Sequence, residues 1–112
     1  MRLLIALFTL TFCLHAQAQK IEWMSFEAAI DAQAKADQPK KIFIDVYTDW
    51  CGWCKHMMKT TYANEGLAGY INQNFYPVSF DAESKDTIEF LGQIYKPTGP
   101  EKKAPHELAV KL

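Results

Sequence analysis

The spacing of apolar residues along the chain predicts alternating helices and strands. Ser25 is a typical helix N-cap, apolar residues then recur at helical intervals, and Asp37-Gln38-Pro39 ends that pattern. Within residues 41–47, the core Ile42-Phe43-Ile44 is apolar on both faces, as in a strand that helices cover on both sides. Pro77 favours an edge or an end position in a second strand. The elements predicted here are a helix at 26–36, a strand at 41–47, helices at 52–62 and 65–73, and a strand at 75–80.

The last third of the chain predicts two helices separated by a loop. Ile88, Leu91 and Ile94 would share one side of the first helix. Three prolines and a glycine place 96–105 in the loop, and the second helix begins at His106.

The order of these elements predicts an α/β fold with at least one crossover between strands. Two strands alone form a poor sheet. We therefore expect either that 21–24 adds a strand or that further strands lie beyond Leu112.

The N-terminal segment has the pattern of a secretory signal. Arg2 supplies the positive charge, an apolar run covers 3–14, and Ala16-Gln17-Ala18 fits a small-x-small cleavage site. The run is well short of the roughly 20 residues that a membrane-spanning helix needs, so a permanent anchor is the weaker alternative. We expect residues 1–18 to be a signal peptide and 19–112 to be a domain exported to the periplasm or cell envelope of a bacterium.

The charge is nearly balanced, with 12 basic and 13 acidic residues among 112. Loss of Arg2 with the signal leaves a mature net charge of about −2, which disfavours nucleic acid as a partner. We expect a monomer.

Cysteine spacing is the most informative chemical feature of the chain. Cys13 leaves with the signal, so the mature domain keeps Cys51 and Cys54. A disulfide between them closes a loop so short that it contributes roughly 2 kcal/mol in the chain-entropy model, against roughly 3 for a fifteen-residue loop. The spacing therefore favours a redox role for the pair over a role in stabilising the fold.

Two other cysteine chemistries fit less well. A structural zinc ion needs four ligands, but only His56 is close in sequence and His106 is distant. Covalent haem attachment needs a histidine directly after the second cysteine, where Lys55 stands. We expect neither a metal nor a cofactor.

The cysteine pair stands at the predicted start of a helix, which gives the two thiols different environments. Free N–H groups and the helix dipole favour a thiolate on Cys51, whereas Cys54 lies one turn in and is more shielded. Cys51 would attack a substrate disulfide, and Cys54 would resolve the mixed disulfide. Asp45 is the candidate acceptor for the Cys54 proton if the strand buries it. The spacing fits an Asp45 that faces solvent or caps a turn nearly as well.

Residues 43–55 resemble the active-site strand and helix of the thioredoxin superfamily. That motif has an acid six residues before the first cysteine, a tryptophan directly before it and a lysine directly after the second, and Asp45, Trp50 and Lys55 stand at these positions. The match is closest to the thioredoxin-like domains of bacterial envelope disulfide reductases and extends over about 21–86. It implies a thioredoxin-like α/β fold, in which helices pack on a central mixed sheet.

The resemblance also implies a function, exchange of disulfides with exported proteins. The partners would be protein or peptide thiols and disulfides, together with a membrane-bound or soluble electron-donor protein. The implied roles are Cys51 as nucleophile, Cys54 as resolving thiol, Asp45 as proton acceptor, Trp50, Gly52 and Trp53 in the substrate groove, and Lys55 as a supporting residue.

The sequence departs from the superfamily pattern at two places. Gly52-Trp53 replaces the Gly-Pro of thioredoxin, and because this dipeptide tunes the reduction potential in the family, the chain could be reductant, oxidant or isomerase. Neither Pro97 nor Pro105 precedes an apolar strand, as the cis-proline of the family does. We therefore expect that proline, two strands and a last helix to lie beyond Leu112.

A binding or chaperone module with little catalysis is the alternative from a different functional class. Its peptide-contact surface would consist of Trp23, Trp50, Trp53 and Tyr62, although core packing explains Trp23 equally well.

Overall fold

The computed structural model describes residues 18–112, so all of the predicted signal except Ala18 lies outside the described residues. Helices and strands alternate in a mixed α/β arrangement, as expected for a thioredoxin-like fold. None of the helices in this range is long and apolar enough to cross a membrane. The elements are α1 (Phe26–Lys35), β1 (Lys41–Tyr47), α2 (Gly52–Lys59), α3 (Glu65–Asn74), β2 (Phe75–Asp81), β3 (Ile88–Phe90), β4 (Gln93–Tyr95) and α4 (Glu107–Lys111).

The parallel pair of β1 and β2 is the frame of the fold. Its register runs from Lys41 opposite Phe75 to Tyr47 opposite Asp81. The chain between the two strands forms α2 and α3, which make the crossover that a parallel connection requires. The predicted crossover is therefore confirmed.

Pro77 lies inside β2 and not at its end. Its carbonyl accepts the N–H of Met24 at 2.9 Å, on the side away from β1. Since the N–H and C=O of one strand residue point to the same side, the N–H that proline lacks would face Met24, and the pairing with β1 loses nothing. The strand predicted at 21–24 is reduced to this contact, a single bridge between Met24 and Val78.

Apolar side chains cover both faces of the parallel pair. β1 contributes Ile42 and Ile44 to one core cluster and Phe43 to the other, which confirms the prediction that this strand is covered on both sides. The first core cluster consists of Phe26, Ala29, Val78, Phe80, Ile88 and Leu108. The second core cluster consists of Ile21, Ala68 and Ile71.

The helix predicted around Ile88, Leu91 and Ile94 is wrong, because this segment is a β-hairpin. β3 and β4 pair antiparallel through the two-residue connection Leu91-Gly92. These residues have φ values of 52° and 76°, the positive values that a type I′ turn requires. The helical spacing was accidental, since only Ile88 is buried while Leu91 and Ile94 are 83% and 63% exposed.

The predicted last helix is confirmed as α4, with His106 as its N-cap. The imidazole is fully buried, and its Nδ1 accepts the N–H of Leu108 at 3.2 Å. The ring proton must then be on Nε2, which donates to the carbonyl of Asp86 at 2.9 Å. The ring also meets Phe80 edge-on, with centroids 5.5 Å apart. His106 thus ties α4 to the segment that follows β2.

Candidate functional site

A disulfide joins Cys51 to Cys54 at the start of α2, across Cα atoms 5.3 Å apart. β1 leads directly to this point through a turn in which the N–H of Cys51 donates to the carbonyl of Thr48 at 3.1 Å. Cys51 is the N-cap of α2, and the N–H of Cys54 donates to its Sγ at 3.1 Å. The structure therefore brings the two cysteines together where the sequence predicts a redox pair.

The helix N-terminus makes the two sulfur atoms chemically unequal. Sγ of Cys51 lies at the end of α2 where backbone N–H groups have no intrahelical acceptor, whereas Cys54 belongs to the first turn. The first turn contains no acidic residue. Once the pair is reduced, this arrangement favours negative charge on Cys51.

Exposed indole rings flank the disulfide. Trp50 and Trp53 are 63% and 72% exposed, and Gly52 and Lys55 are exposed beside them. The ring of Trp53 stacks on the imidazole of His56, with centroids 5.1 Å apart. These positions are compatible with the groove that the resemblance implies.

Two residues that the sequence reasoning missed hold Trp50 in place. Its Nε1–H donates to Oε1 of Glu83 at 2.8 Å, and Nζ of Lys103 lies 5.7 Å from the ring centroid, within cation–π range. Lys103 lies in the loop at 96–105, and Lys85 holds this loop by donating to the carbonyl of Glu101 at 2.6 Å. Glu83 had a signal in the sequence, because it follows β2 as Trp50 follows β1, and parallel strands end at one edge. Lys103 had none.

Asp45 is half-buried on β1, and its carboxylate is hydrogen-bonded. The hydroxyl of Tyr62 donates to Oδ1 at 3.1 Å, so Asp45 neither points freely into solvent nor caps a turn. Its partner in the strand register, Ser79, lines a cavity of about 280 Å³ together with Cys54. Asp45 itself is not among the residues that line this cavity. Among the described residues, no hydrogen bond joins the Asp45 carboxylate to either cysteine, and the connection between them runs through Ser79.

Two tyrosines near Asp45 hold their protons more tightly than usual. Burial, followed by the charge of Asp45 and the hydrogen bond to it, raises the pKa of Tyr62 to about 12. Burial, followed by the charges of Asp81, Asp49 and Asp45, also raises the pKa of Tyr47. Both hydroxyls are therefore neutral at the pH of ordinary assays.

The surface expected for a binding module does not form as a unit. The rings of Trp23 and Tyr62 pack edge-on, with centroids 5.3 Å apart, and both lie against the second core cluster. Of the four aromatic residues, Trp50 and Trp53 alone are largely exposed.

Other candidates from the sequence lie apart from the disulfide. Within residues 18–112, no three side chains of metal-ligating type converge. His106, the distant zinc candidate, uses both ring nitrogens in hydrogen bonds. Pro97 forms a bridge with His106, and no peptide bond in the same range is cis.

A family comparison matches most of the chain. The Thioredox_DsbH family, described as "Protein of unknown function, DUF255", matches residues 5–98. The matched range contains the disulfide, Trp50, Trp53 and Asp45.

Individual relatives match the chain at lower coverage. An uncharacterized protein of Caenorhabditis elegans is 32% identical over 71 residues, which are 63% of this chain and 10% of that protein. Spermatogenesis-associated protein 20 of Rattus norvegicus is 29% identical over 70 residues, 62% of this chain and 9% of that protein. An uncharacterized protein of Archaeoglobus fulgidus is 27% identical over 84 residues, 74% of this chain and 65% of that protein. The alignments thus span only 10% and 9% of the first two relatives. No solved structure matches the chain significantly.

Proposed function

The chain belongs to this thioredoxin-like family, and on that premise we propose that it is a thiol–disulfide oxidoreductase acting on exported proteins. The observation that carries the proposal is the Cys51–Cys54 disulfide at the N-terminus of α2, with the N–H of Cys54 directed at the sulfur of Cys51. A pair at such a helix start is suited to reversible exchange, and because the loop is short, the disulfide stabilises the fold less than one that closes a longer loop.

Reduction of a substrate disulfide proceeds in two displacements. The Cys51 thiolate attacks one substrate sulfur, forms a mixed disulfide and releases the other substrate sulfur as a thiolate. Cys54 then loses its proton and attacks the Sγ of Cys51, which releases the second substrate thiolate and leaves Cys51 and Cys54 oxidised. Two electrons pass to the substrate, whose thiolates take up two protons. An electron-donor protein with a dithiol returns the pair to its reduced form.

Asp45 serves as the acceptor for the Cys54 proton. Its support is a half-buried carboxylate on the strand that leads into the pair, with Ser79 of the neighbouring strand lining the same cavity as Cys54. Because Asp45 does not itself line that cavity, the proton would reach the carboxylate through an intervening group or water and not by direct transfer. Trp50, Gly52 and Trp53 receive the substrate segment, with Lys55 beside them.

Reduction of insulin by a dithiol donor tests the proposal. We expect Cys51→Ser to lower the rate to that of the uncatalysed reaction, because no mixed disulfide can then form at that position. Cys54→Ser should instead accumulate a mixed disulfide, which a non-reducing gel detects. Gln73→Ala, at an exposed position of α3, is the control and should keep the rate of the parent. A Cys51→Ser protein that reduces insulin as fast as the parent would refute the proposal.

The direction of electron flow needs a separate measurement. A reduction potential of about −270 mV for the pair would make the protein a reductant, and one of about −120 mV would make it an oxidant. We propose that the protein works in the periplasm or cell envelope, where a reductant depends on a dedicated donor.

A peptide-binding module is the second candidate, and the exposure of Trp50 and Trp53 favours it. Suppression of aggregation that survives replacement of both cysteines, but not Trp50→Ala with Trp53→Ala, would support this function. If replacement of both cysteines abolishes the suppression of aggregation, the result would favour the oxidoreductase.

A further inference from the structure

Tyr62 is fixed by its backbone and by two aromatic rings. Just past the end of α2, its N–H donates to the carbonyl of Met57 at 3.0 Å. Its ring packs edge-on against Trp23 and Phe43, at centroid distances of 5.3 and 6.2 Å. Edge-to-face packing restricts the ring, so the fold itself determines where the hydroxyl lies.

The hydroxyl of Tyr62 ends at the carboxylate of Asp45. It donates to Oδ1 across 3.1 Å, and within residues 18–112 no second donor is hydrogen-bonded to this carboxylate. Because the pKa of Tyr62 is raised to about 12, the hydroxyl keeps its proton throughout the pH range in which a carboxyl group titrates. A hydrogen bond donated to the charged form of an acid favours that form.

We propose that Tyr62 is a positioning residue, whose hydroxyl holds Asp45 as an oriented carboxylate ready to receive the Cys54 proton. The inference rests on the proposed function, in which Asp45 accepts that proton during the resolving step. Phenylalanine at position 62 would keep the ring contacts with Trp23 and Phe43 and remove only the donor. The effect of the hydroxyl can therefore be separated from the effect of packing.

Other titratable groups lie in the neighbourhood of this pair, and Tyr62→Phe leaves them unchanged. On the sheet side they are Tyr47, Asp49 and Asp81, with Cys54 and Lys55 on α2. Lys20 and Glu65 line a separate cavity beside the ring of Tyr62. No hydrogen bond joins any of these groups to Asp45 in the described range, so a change at the Tyr62 hydroxyl acts on Asp45 directly.

The test compares Tyr62→Phe with the parent by two measurements. The first is the rate at which Cys54 resolves a mixed disulfide between Cys51 and a thiol peptide, followed over pH in single turnover. The second is the titration of the Asp45 carboxyl carbon by NMR, which does not depend on activity. Loss of a hydrogen bond donated to the charged form of the acid should move both midpoints to higher pH. The rate at high pH should stay that of the parent.

Two further variants control the comparison. Tyr76→Phe removes a hydroxyl that makes only a 3.5 Å contact with the carbonyl of Ala32, and should leave both midpoints unchanged. In an Asp45→Asn background, Tyr62→Phe should have no further effect on the resolving rate. Midpoints that stay in place in Tyr62→Phe, or that move equally in Tyr76→Phe, overturn the inference. If the parent exchanges no disulfides, the proposed function fails, and the carboxyl titration alone still decides whether Tyr62 stabilises the charged form of Asp45.

Discussion

Replacing His106 by alanine would remove the side-chain contacts by which this residue helps to hold the C-terminal segment to the body of the protein. In His106→Ala, the carbonyl of Asp86 loses its ring donor and the N–H of Leu108 loses the acceptor that caps it. The edge contact with Phe80 is lost as well, and the missing ring leaves a cavity beside the first core cluster.

The structure allows the cost of this change to be worked out. Each of the two polar groups left without a partner costs at least about 1 kcal/mol, the low end of the usual range; the carbonyl of Asp86 is only partly shielded, whereas the hydrogen bond to the N–H of Leu108 is buried. Incomplete closure of the cavity adds about 1 kcal/mol. We therefore expect His106→Ala to lower the free energy of unfolding by about 3 kcal/mol, a large share of the total for a small domain.

Urea unfolding of the oxidised protein, followed by far-ultraviolet circular dichroism and extrapolated linearly to water, measures this loss. His106→Asn separates the two contributions, because the shorter amide can still cap the N–H of Leu108 but does not reach Asp86. This variant should therefore recover about half of the free energy of unfolding that His106→Ala loses. His56→Ala, at an exposed position of α2, is the control and should stay close to the parent. A His106→Ala protein within about 1 kcal/mol of the parent would refute the assignment of both hydrogen bonds.

Three further predictions concern the β3–β4 turn, Tyr62 and Trp50. Leu91→Asn should raise the free energy of unfolding by about 0.5 to 1 kcal/mol, because asparagine tolerates positive φ better than leucine; an unchanged urea midpoint would contradict this. Tyr62 should make the protein lose stability as the pH rises from 10.0 towards about 12, since the folded state keeps a proton that the unfolded state releases. Tyr62→Phe should lose less over that window in pH-dependent urea titrations, and equal losses would argue against the raised pKa. Glu83→Ala should shift the NMR resonance of the Trp50 indole N–H, whereas Glu83→Gln, which can still accept, should stay nearer the parent; identical spectra for both variants would show that this contact does not hold the ring.

The elements around the cysteines follow from local signals in the sequence. β1 has the predicted bounds because a short apolar run between polar residues defines it. The cap at Ser25 begins α1 as expected, and α3 extends one residue beyond its predicted end. α2 begins at Gly52 as predicted but ends earlier, at Lys59, where the N–H of Thr60 turns back to the carbonyls of His56 and Met57. The roles of the cysteines stay predictions.

The features that the sequence did not reveal depend on contacts between distant segments. The β3–β4 hairpin was missed because leucine is an unusual residue at a turn position with positive φ, and only Gly92 gave a turn signal. Glu83 and Lys103 meet Trp50 only after the sheet and the following loop have formed. Spacing along the chain could not indicate the hydrogen bond between Tyr62 and Asp45, because it depends on how the chain turns after α2.

The parallel pairing of β1 with β2 also bears on whether the disulfide or the sheet can form first. Each pair in this register, from Lys41 with Phe75 to Tyr47 with Asp81, joins strands across the whole α2–α3 segment, so chain entropy is lost before any of these contacts stabilises the protein. The cysteines are three positions apart and need no such long closure. In an oxidising compartment, their disulfide can therefore form on a chain that has no sheet yet. Oxidation of the pair and pairing of β1 with β2 are then separate events, so a chain can carry the disulfide before its sheet has formed.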